Sequence, residues 1–227
     1  MERCRSGLTG WFRKPCTLKG VRGFKSLPLR QKTNMRIYLV RHGEYSNPDN
    51  IFPFHLPVTL SEEGREHIKR VGSWFQRKDV RKIPIYTSPI LRTRETAEII
   101  ASFTNSSIEN DDRLIESYSP NLQGKRQPGK EGDDAAWQMQ CSDQSRESSE
   151  SVQKRMIECF NEKAREGKDC VLVSHGDPLT ALYYHLIQKA LVSCLFDDEH
   201  IDIYIKRGEI VSVQIDGDDY QTERITV

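Results

Sequence analysis

The sequence predicts a three-layer α/β/α fold with a mostly parallel central sheet and an antiparallel edge hairpin. Two stretches carry that expectation. Ile37-Tyr38-Leu39-Val40 and Cys170-Val171-Leu172-Val173 are short continuous apolar runs, as buried parallel strands are, and each leads to a histidine, a glycine and an acid. Strand-like and helix-like segments alternate between them, a rhythm that implies parallel pairing with right-handed crossovers. Ligands of such sheets bind beyond the carboxyl ends of the strands. His42 and His175 would therefore face one crevice.

In chain order, Met35 opens the first strand, which ends in Arg41-His42-Gly43-Glu44. Tyr45 to Thr59 contains Pro48, Pro53 and Pro57 and reads as a loop over the crevice. Ser61 caps a helix with Glu62 and Glu63 in its first turn, a buried stripe of Ile68, Val71, Trp74 and Phe75, and an end near Arg77. Ile83 to Thr87 is a second strand. Ser88-Pro89 supplies an N-cap and an N1 proline for a helix to about Phe103, with Arg92 in its first turn. Leu114 to Gly129 lacks periodicity and holds Glu116. From there to Arg146 little beyond Trp137 can pack, which predicts a mobile flap.

Ser148 starts the next helix, with Val152, Met156, Cys159 and Phe160 inward, followed by the strand Cys170–Ser174. Asp177-Pro178 repeats the cap-plus-proline signal for a helix carrying Leu179, Leu182, Tyr183, Leu186 and Ile187. Its N-terminus, next to His175 and Gly176, favours an anion. Ile201 to Ile205 alternates strictly, and Lys206 to Glu209 can turn it back into Ile210–Ile215 as the edge hairpin.

Charge divides the chain. Residues 1–34 hold nine of the 34 Lys/Arg residues and one of the 33 Asp/Glu residues, leaving an acidic body of 25 bases and 32 acids. The basic leader has no apolar periodicity and reads as a disordered extension ahead of one domain spanning residues 35–227. It fits a transit peptide, a nucleic-acid-binding arm, or a dispensable stretch upstream of Met35 as the true start. No run approaches the roughly 18 apolar residues of a spanning helix, so no membrane partner is expected. A cytoplasmic location follows, or an organellar one if the leader is a transit peptide. Six cysteines without CxxC pairing read as reduced thiols, with neither a zinc site nor a disulfide framework. His55, His67, His185 and His200 lack strand-end contexts and are assigned no role.

Arginine decides the chemistry. Arg41 beside His42 and Arg92 from another element repel a cation and clamp a phosphate, which argues against a metal site. Guanidinium charge also keeps a nearby imidazole neutral and nucleophilic near pH 7. A small-molecule phosphate ester held this way offers its phosphorus to a ring nitrogen, and hydrolysis splits into two in-line transfers through a phosphohistidine. One carboxyl can serve as acid for the first transfer and base for the second. Glu116 is the best placed. No cofactor is needed, and nothing in the sequence fixes an oligomeric state.

The ordered set resembles the histidine phosphatase superfamily, with its phosphoglycerate-mutase-like fold, from roughly Met35 to the C-terminus. Val40-Arg41-His42-Gly43-Glu44 is similar to its signature. Ser88-Pro89-Ile90-Leu91-Arg92 with Thr96-Ala97-Glu98 resembles its second motif, Leu114-Ile115-Glu116 the segment carrying the proton donor, and Val173-Ser174-His175-Gly176 the last motif. The start of the helix from Glu147-Ser148 to Arg155 is similar too. The resemblance implies His42 as nucleophile, Glu116 as proton donor, and Arg41, Arg92 and His175 as phosphate ligands. Glu44, Asn47 and Gly176 are further candidates. Asn47 stands one residue off the register of the phosphate-binding asparagine of the family's mutases, whose long basic insertion is also missing. Acids between Gln127 and Arg146 suit a polyanionic bisphosphoglycerate poorly. A phosphatase is therefore expected ahead of a mutase or a non-catalytic phosphate-binding module.

Overall fold

In the computed structural model, the residues described are 35–129, 134–195, 201–217 and 219–227. The basic leader, with Cys4 and Cys16, lies outside them, as do His200 and, of the acids between Gln127 and Arg146, Glu131 and Asp133.

Six strands form one sheet: β1 (Met35–Arg41), β2 (Ile85–Thr87), β3 (Ile108–Asn110), β4 (Cys170–Ser174), β5 (Ile210–Asp216) and β6 (Asp219–Ile225), in the order β3-β2-β4-β1-β5-β6. The pairs β3–β2, β2–β4 and β4–β1 are parallel, whereas β1–β5 and β5–β6 are antiparallel. Helices α1 (Glu62–Arg77) and α2 (Leu91–Thr104) cover one face. Helices α4 (Ser149–Glu166) and α5 (Gly176–Leu186) cover the other, which gives the expected three layers.

Period-two alternation in β1 explains why its run is apolar throughout. Tyr38 and Val40 enter the core with Ile68, Val71, Phe75 and Ile100, while Ile37 and Leu39 enter the core with Met156, Phe160, Leu179 and Leu182. Helix α1 begins where its composition dictates, with Ser61 Oγ accepting from Gly64 N at 3.0 Å. Gly64 sits against the histidine-bearing turn. A Cβ there would lie 2.0 Å from the Glu44 carbonyl oxygen, so only glycine admits the contact.

Several expectations are corrected. Ile201–Ile205 is not a strand. Its backbone is bonded by side chains: Arg41 Nη1 donates to Ile205 O (2.8 Å), Arg224 Nη2 to Tyr204 O (3.0 Å), and Ile205 N donates to Thr180 Oγ1 (3.1 Å). The edge hairpin is instead β5–β6, reversed where Gly217 takes φ +68°. Helix α2 starts at Leu91 with Ile90 at its cap position, because Ser88 is engaged elsewhere. Helix α5 starts at Gly176, since the Asp177 carboxylate bonds side chains and caps nothing.

The supposed flap contains α3 (Asp134–Ser142), anchored by buried Ala136 against Phe52, Phe54 and Leu122. Nor are all the thiols reduced: Cys141 and Cys194 form a disulfide with Cα atoms 5.5 Å apart, a pairing 53 residues distant that spacing rules do not reveal. Cys159 and Cys170 are free and buried. Strand β3, three exposed residues, gave no apolar pattern to read. No helix among the described residues is long and apolar enough to cross a membrane.

Candidate active site

Three adjacent strand ends build the site. β1 and β4 pair Arg41 with Ser174, and His42 N donates to Ser174 O at 3.1 Å, so the two histidine turns lie side by side. Their rings are 5.2 Å apart, centroid to centroid. On the far side of β4, Ser88 N donates to Val173 O at 3.1 Å.

The ring of His42 is 1 % exposed and fixed at both nitrogens. Nδ1 lies 2.7 Å from Gly43 O, which can only accept, so the hydrogen-bond network puts the proton on Nδ1. Nε2 keeps its lone pair, toward which Arg92 Nε donates at 3.3 Å. Burial, then the charges of Arg92, Arg41 and Arg207, holds the imidazole well below its ordinary pKa.

His175 is fully buried and oriented differently. Its Nε2 is 2.9 Å from Ser88 Oγ. Ser88 Oγ accepts from Ile90 N at 3.3 Å and keeps its own proton to donate to Nε2; the tautomer assigned to His175 on that basis carries its proton on Nδ1, so that an N–H and not a lone pair faces a carboxylate oxygen. That Nδ1 has no hydrogen-bond partner among the described residues and stands 3.7 Å from Glu116 Oε2. Burial and then Arg92 lower its pKa well below the usual value.

Arg92, reaching in from α2, is 2 % exposed; its Nη2 donates to Phe54 O at 2.8 Å and lies 4.0 Å from Glu116 Oε2. Arg92 Nη1 and Arg41 Nε are buried with no hydrogen-bond partner among the described residues. Orphaned buried donors on two guanidinium groups and an imidazole are rare and mark a place built for an acceptor-rich group. No three His, Cys, Asp or Glu side chains among the described residues gather around a possible metal position.

Glu116 accepts from Ser117 N at 2.9 Å through Oε1. Burial, reinforced by the negative charge of Asp177 and opposed by Arg92 and Arg41, raises its pKa to about 7. Arg155 of α4 braces this segment, donating to Arg113 O at 2.6 Å and Ile115 O at 2.8 Å. Gly176 is required for space: a Cβ would meet Tyr204 Oη at 2.1 Å and Arg41 Cζ at 2.9 Å.

Arg41, His42, Arg92 and Glu116 thus share the cavity wall, with His175 packed against His42 and Glu116 and Gly176 against Arg41 and Tyr204. Two candidates stay outside this group. Glu44 pairs with Arg207 and is absent from the cavity wall, and Asn47 braces its own loop through Ile51 O (2.9 Å) and Ile51 N (3.0 Å).

Several participants had escaped notice. Asp177 bonds Ser117 Oγ, Tyr204 Oη (2.9 Å) and Arg146. Arg207 stands 4.6 Å from the Tyr45 ring centroid, and Arg41 is 5.1 Å from that of Tyr204. His55, set aside as bland, lies 2.9 Å from Glu116 O through Nε2 and stacks on Tyr118. Each acts across a tertiary contact between segments distant in sequence; only the position of Asp177 behind the second histidine offered a signal. A cavity of about 400 Å³ includes Arg41, His42, Arg92, Glu116 and Asp177 in its wall, together with Tyr45, Phe52, Phe54, Trp137, Gln140, Tyr204, Lys206 and Arg207.

Comparison with known proteins places the sequence and the fold. The family model of the histidine phosphatase superfamily (branch 1) matches residues 37–226. A 2,3-bisphosphoglycerate-dependent phosphoglycerate mutase of Thermoplasma acidophilum is 26% identical over 185 residues, 78% of this chain and 86% of that protein. The structure of YhfR from Bacillus stearothermophilus superposes with a TM-score of 0.67 at 25% identity, covering 82% of this chain and 94% of that one. A mycobacterial glucosyl-3-phosphoglycerate phosphatase shares the fold, with a TM-score of 0.62 at 18% identity over 85% of this chain and 97% of its own.

Proposed function

Because the chain belongs to the histidine phosphatase superfamily, we propose that it is a metal-independent phosphomonoesterase acting through a phosphohistidine on His42. The observation that carries the reading is the fixed His42 ring: its proton is tied to Gly43 O and its Nε2 lone pair points at Arg92. The phosphoryl oxygens take the orphaned donors of Arg41, Arg92 and His175. His42 Nε2 attacks phosphorus as the bond to the leaving oxygen breaks, and that oxygen takes the proton of Glu116. Gly43 O continues to accept from Nδ1–H as the ring acquires positive charge. Water then attacks phosphorus, Glu116 takes its proton, the N–P bond breaks and inorganic phosphate leaves. With a pKa near 7, Glu116 is matched to both roles.

The test is turnover of p-nitrophenyl phosphate with and without a chelator. Equal rates are expected. Activity restored only by added metal would refute the reading. A mutase reading is supported by the Thermoplasma relative, 26% identical. The braced Asn47 and the aromatic wall of the cavity favour hydrolysis. Interconversion of 3- and 2-phosphoglycerate faster than phosphate release would reverse that choice.

A further inference from the structure

We infer that the outer part of this cavity is a subsite for a flat apolar leaving group, so that the preferred substrates are phosphate monoesters of aromatic-bearing alcohols carrying no second anionic group. The inference rests on the phosphatase reading for turnover but not for binding. Phe52 and Phe54 stack 5.9 Å apart with planes within 9° of parallel, and both line the cavity. Phe54 also offers its carbonyl to Arg92 Nη2 at 2.8 Å, so the aromatic pair is registered to the phosphate clamp by one hydrogen bond. Trp137 joins the wall from α3, whose own seat is Ala136 against that same pair. A cavity of about 400 Å³ falls within the range that encloses a whole small organic ligand, well beyond a phosphoryl group alone.

Charge excludes the alternative. A phosphorylated sugar acid brings a carboxylate that needs a cation of its own. Arg41 and Arg92 belong to the clamp, and Arg207 is paired with Glu44. Lys206 is exposed, where an ion pair contributes little. Of the two carboxyls in the wall, Asp177 is paired with Arg146 and Glu116 enters the first transfer protonated, so neither offers a second anion any attraction. An aryl ring needs no such partner.

The experiment measures binding of three non-hydrolysable phosphonates of similar reach by calorimetry: 2-phenylethyl-, 2-hydroxyethyl- and 2-carboxyethylphosphonate. Burying a phenyl ring predicts that the first binds roughly 10–100-fold more tightly than either other. In Trp137→Ala that ratio should collapse several-fold, whereas Trp137→Phe, which keeps a flat apolar ring, should retain most of it; melting curves verify that both variants fold. Equal affinities, a preference for the carboxyethyl compound, a ratio unmoved by Trp137→Ala, or no binding by any of the three would overturn the subsite. A phenyl preference in a protein that turns over no ester would instead uphold the subsite and remove the phosphatase reading.

Discussion

His42 and His175 end adjacent parallel strands in the same local sequence, an apolar run before and a glycine and an acid after, yet their rings are hydrogen-bonded in different ways. Each is inferred to carry its proton on Nδ1. In His42 that proton is turned back onto Gly43 O, and the Nε2 lone pair faces the cavity-lining Arg92, whose Nε donates to it at 3.3 Å. In His175 the lone pair is directed to Ser88, leaving the N–H 3.7 Å from Glu116 Oε2. Under the proposed mechanism, one imidazole attacks phosphorus and the other holds its oxygens. The motif alone does not assign these roles; the hydrogen-bond partner of the second nitrogen does.

The sharpest way to break this comparison is to remove each ring. His42→Ala should cost roughly 10⁴–10⁶-fold in kcat for every ester, as loss of a nucleophile does. His175→Ala, which removes one donor to the phosphoryl oxygens, should cost about 10²–10³-fold. Comparable losses, measured by steady-state hydrolysis, would make the two turns equivalent. Because burial and the arginines depress both imidazoles well below their usual pKa, neither should limit activity through protonation as pH falls through 6.5.

The partner between them, Glu116, comes next. Glu116→Gln should slow phosphorylation by alkyl esters on the order of 10²–10⁴-fold and by nitrophenyl esters much less, read in single turnover. As the acid, Glu116 must be protonated, so the alkyl rate should fall as pH rises through about 7. Asp177→Asn should move that fall to lower pH. The same raised pKa has a stability consequence: the unfolded chain loses this proton near its ordinary pKa, the folded one only near 7, so stability declines as pH rises between the two. Glu116→Gln should consequently melt above the native protein at pH 8.

Much of this site was legible before the structure, and the boundary is physical. Buried parallel strands advertise themselves by continuous apolarity, and catalytic groups at their ends inherit that address, which is why Arg41, His42 and His175 were placed from residues alone. Arg92 was readable from a helix start, although the start proved to be Leu91, because Ser88 bonds His175 and does not cap the helix. The strict alternation of Ile201–Ile205 misled because side chains of Arg41, Arg224 and Thr180 took the backbone groups a ladder would need. The Asp177–Arg146 pair and the Cys141–Cys194 bond join segments whose contact no local pattern encodes.

Two smaller effects sharpen the comparison further. Ser88→Ala removes the bond that orients His175 and leaves His42 untouched, so it should lower kcat by about tenfold or less, without changing which residue is phosphorylated. Reducing the Cys141–Cys194 bond should change kcat least, since neither cysteine touches the phosphate clamp. It should still lower the melting temperature by several degrees, because a crosslink over 53 residues contributes about 2–4 kcal/mol. An unchanged melting curve in dithiothreitol would count against that bond.

The central claim is that only one of the two similar turns carries the phosphoryl group. Rapid quenching of the native protein with a ³²P-labelled ester, followed by peptide mapping under alkaline conditions that preserve phosphohistidine, tests it most directly. The account predicts label on the peptide containing His42, absent in His42→Ala and still present, formed more slowly, in His175→Ala. Label on the His175 peptide, or full turnover by His42→Ala, would contradict it.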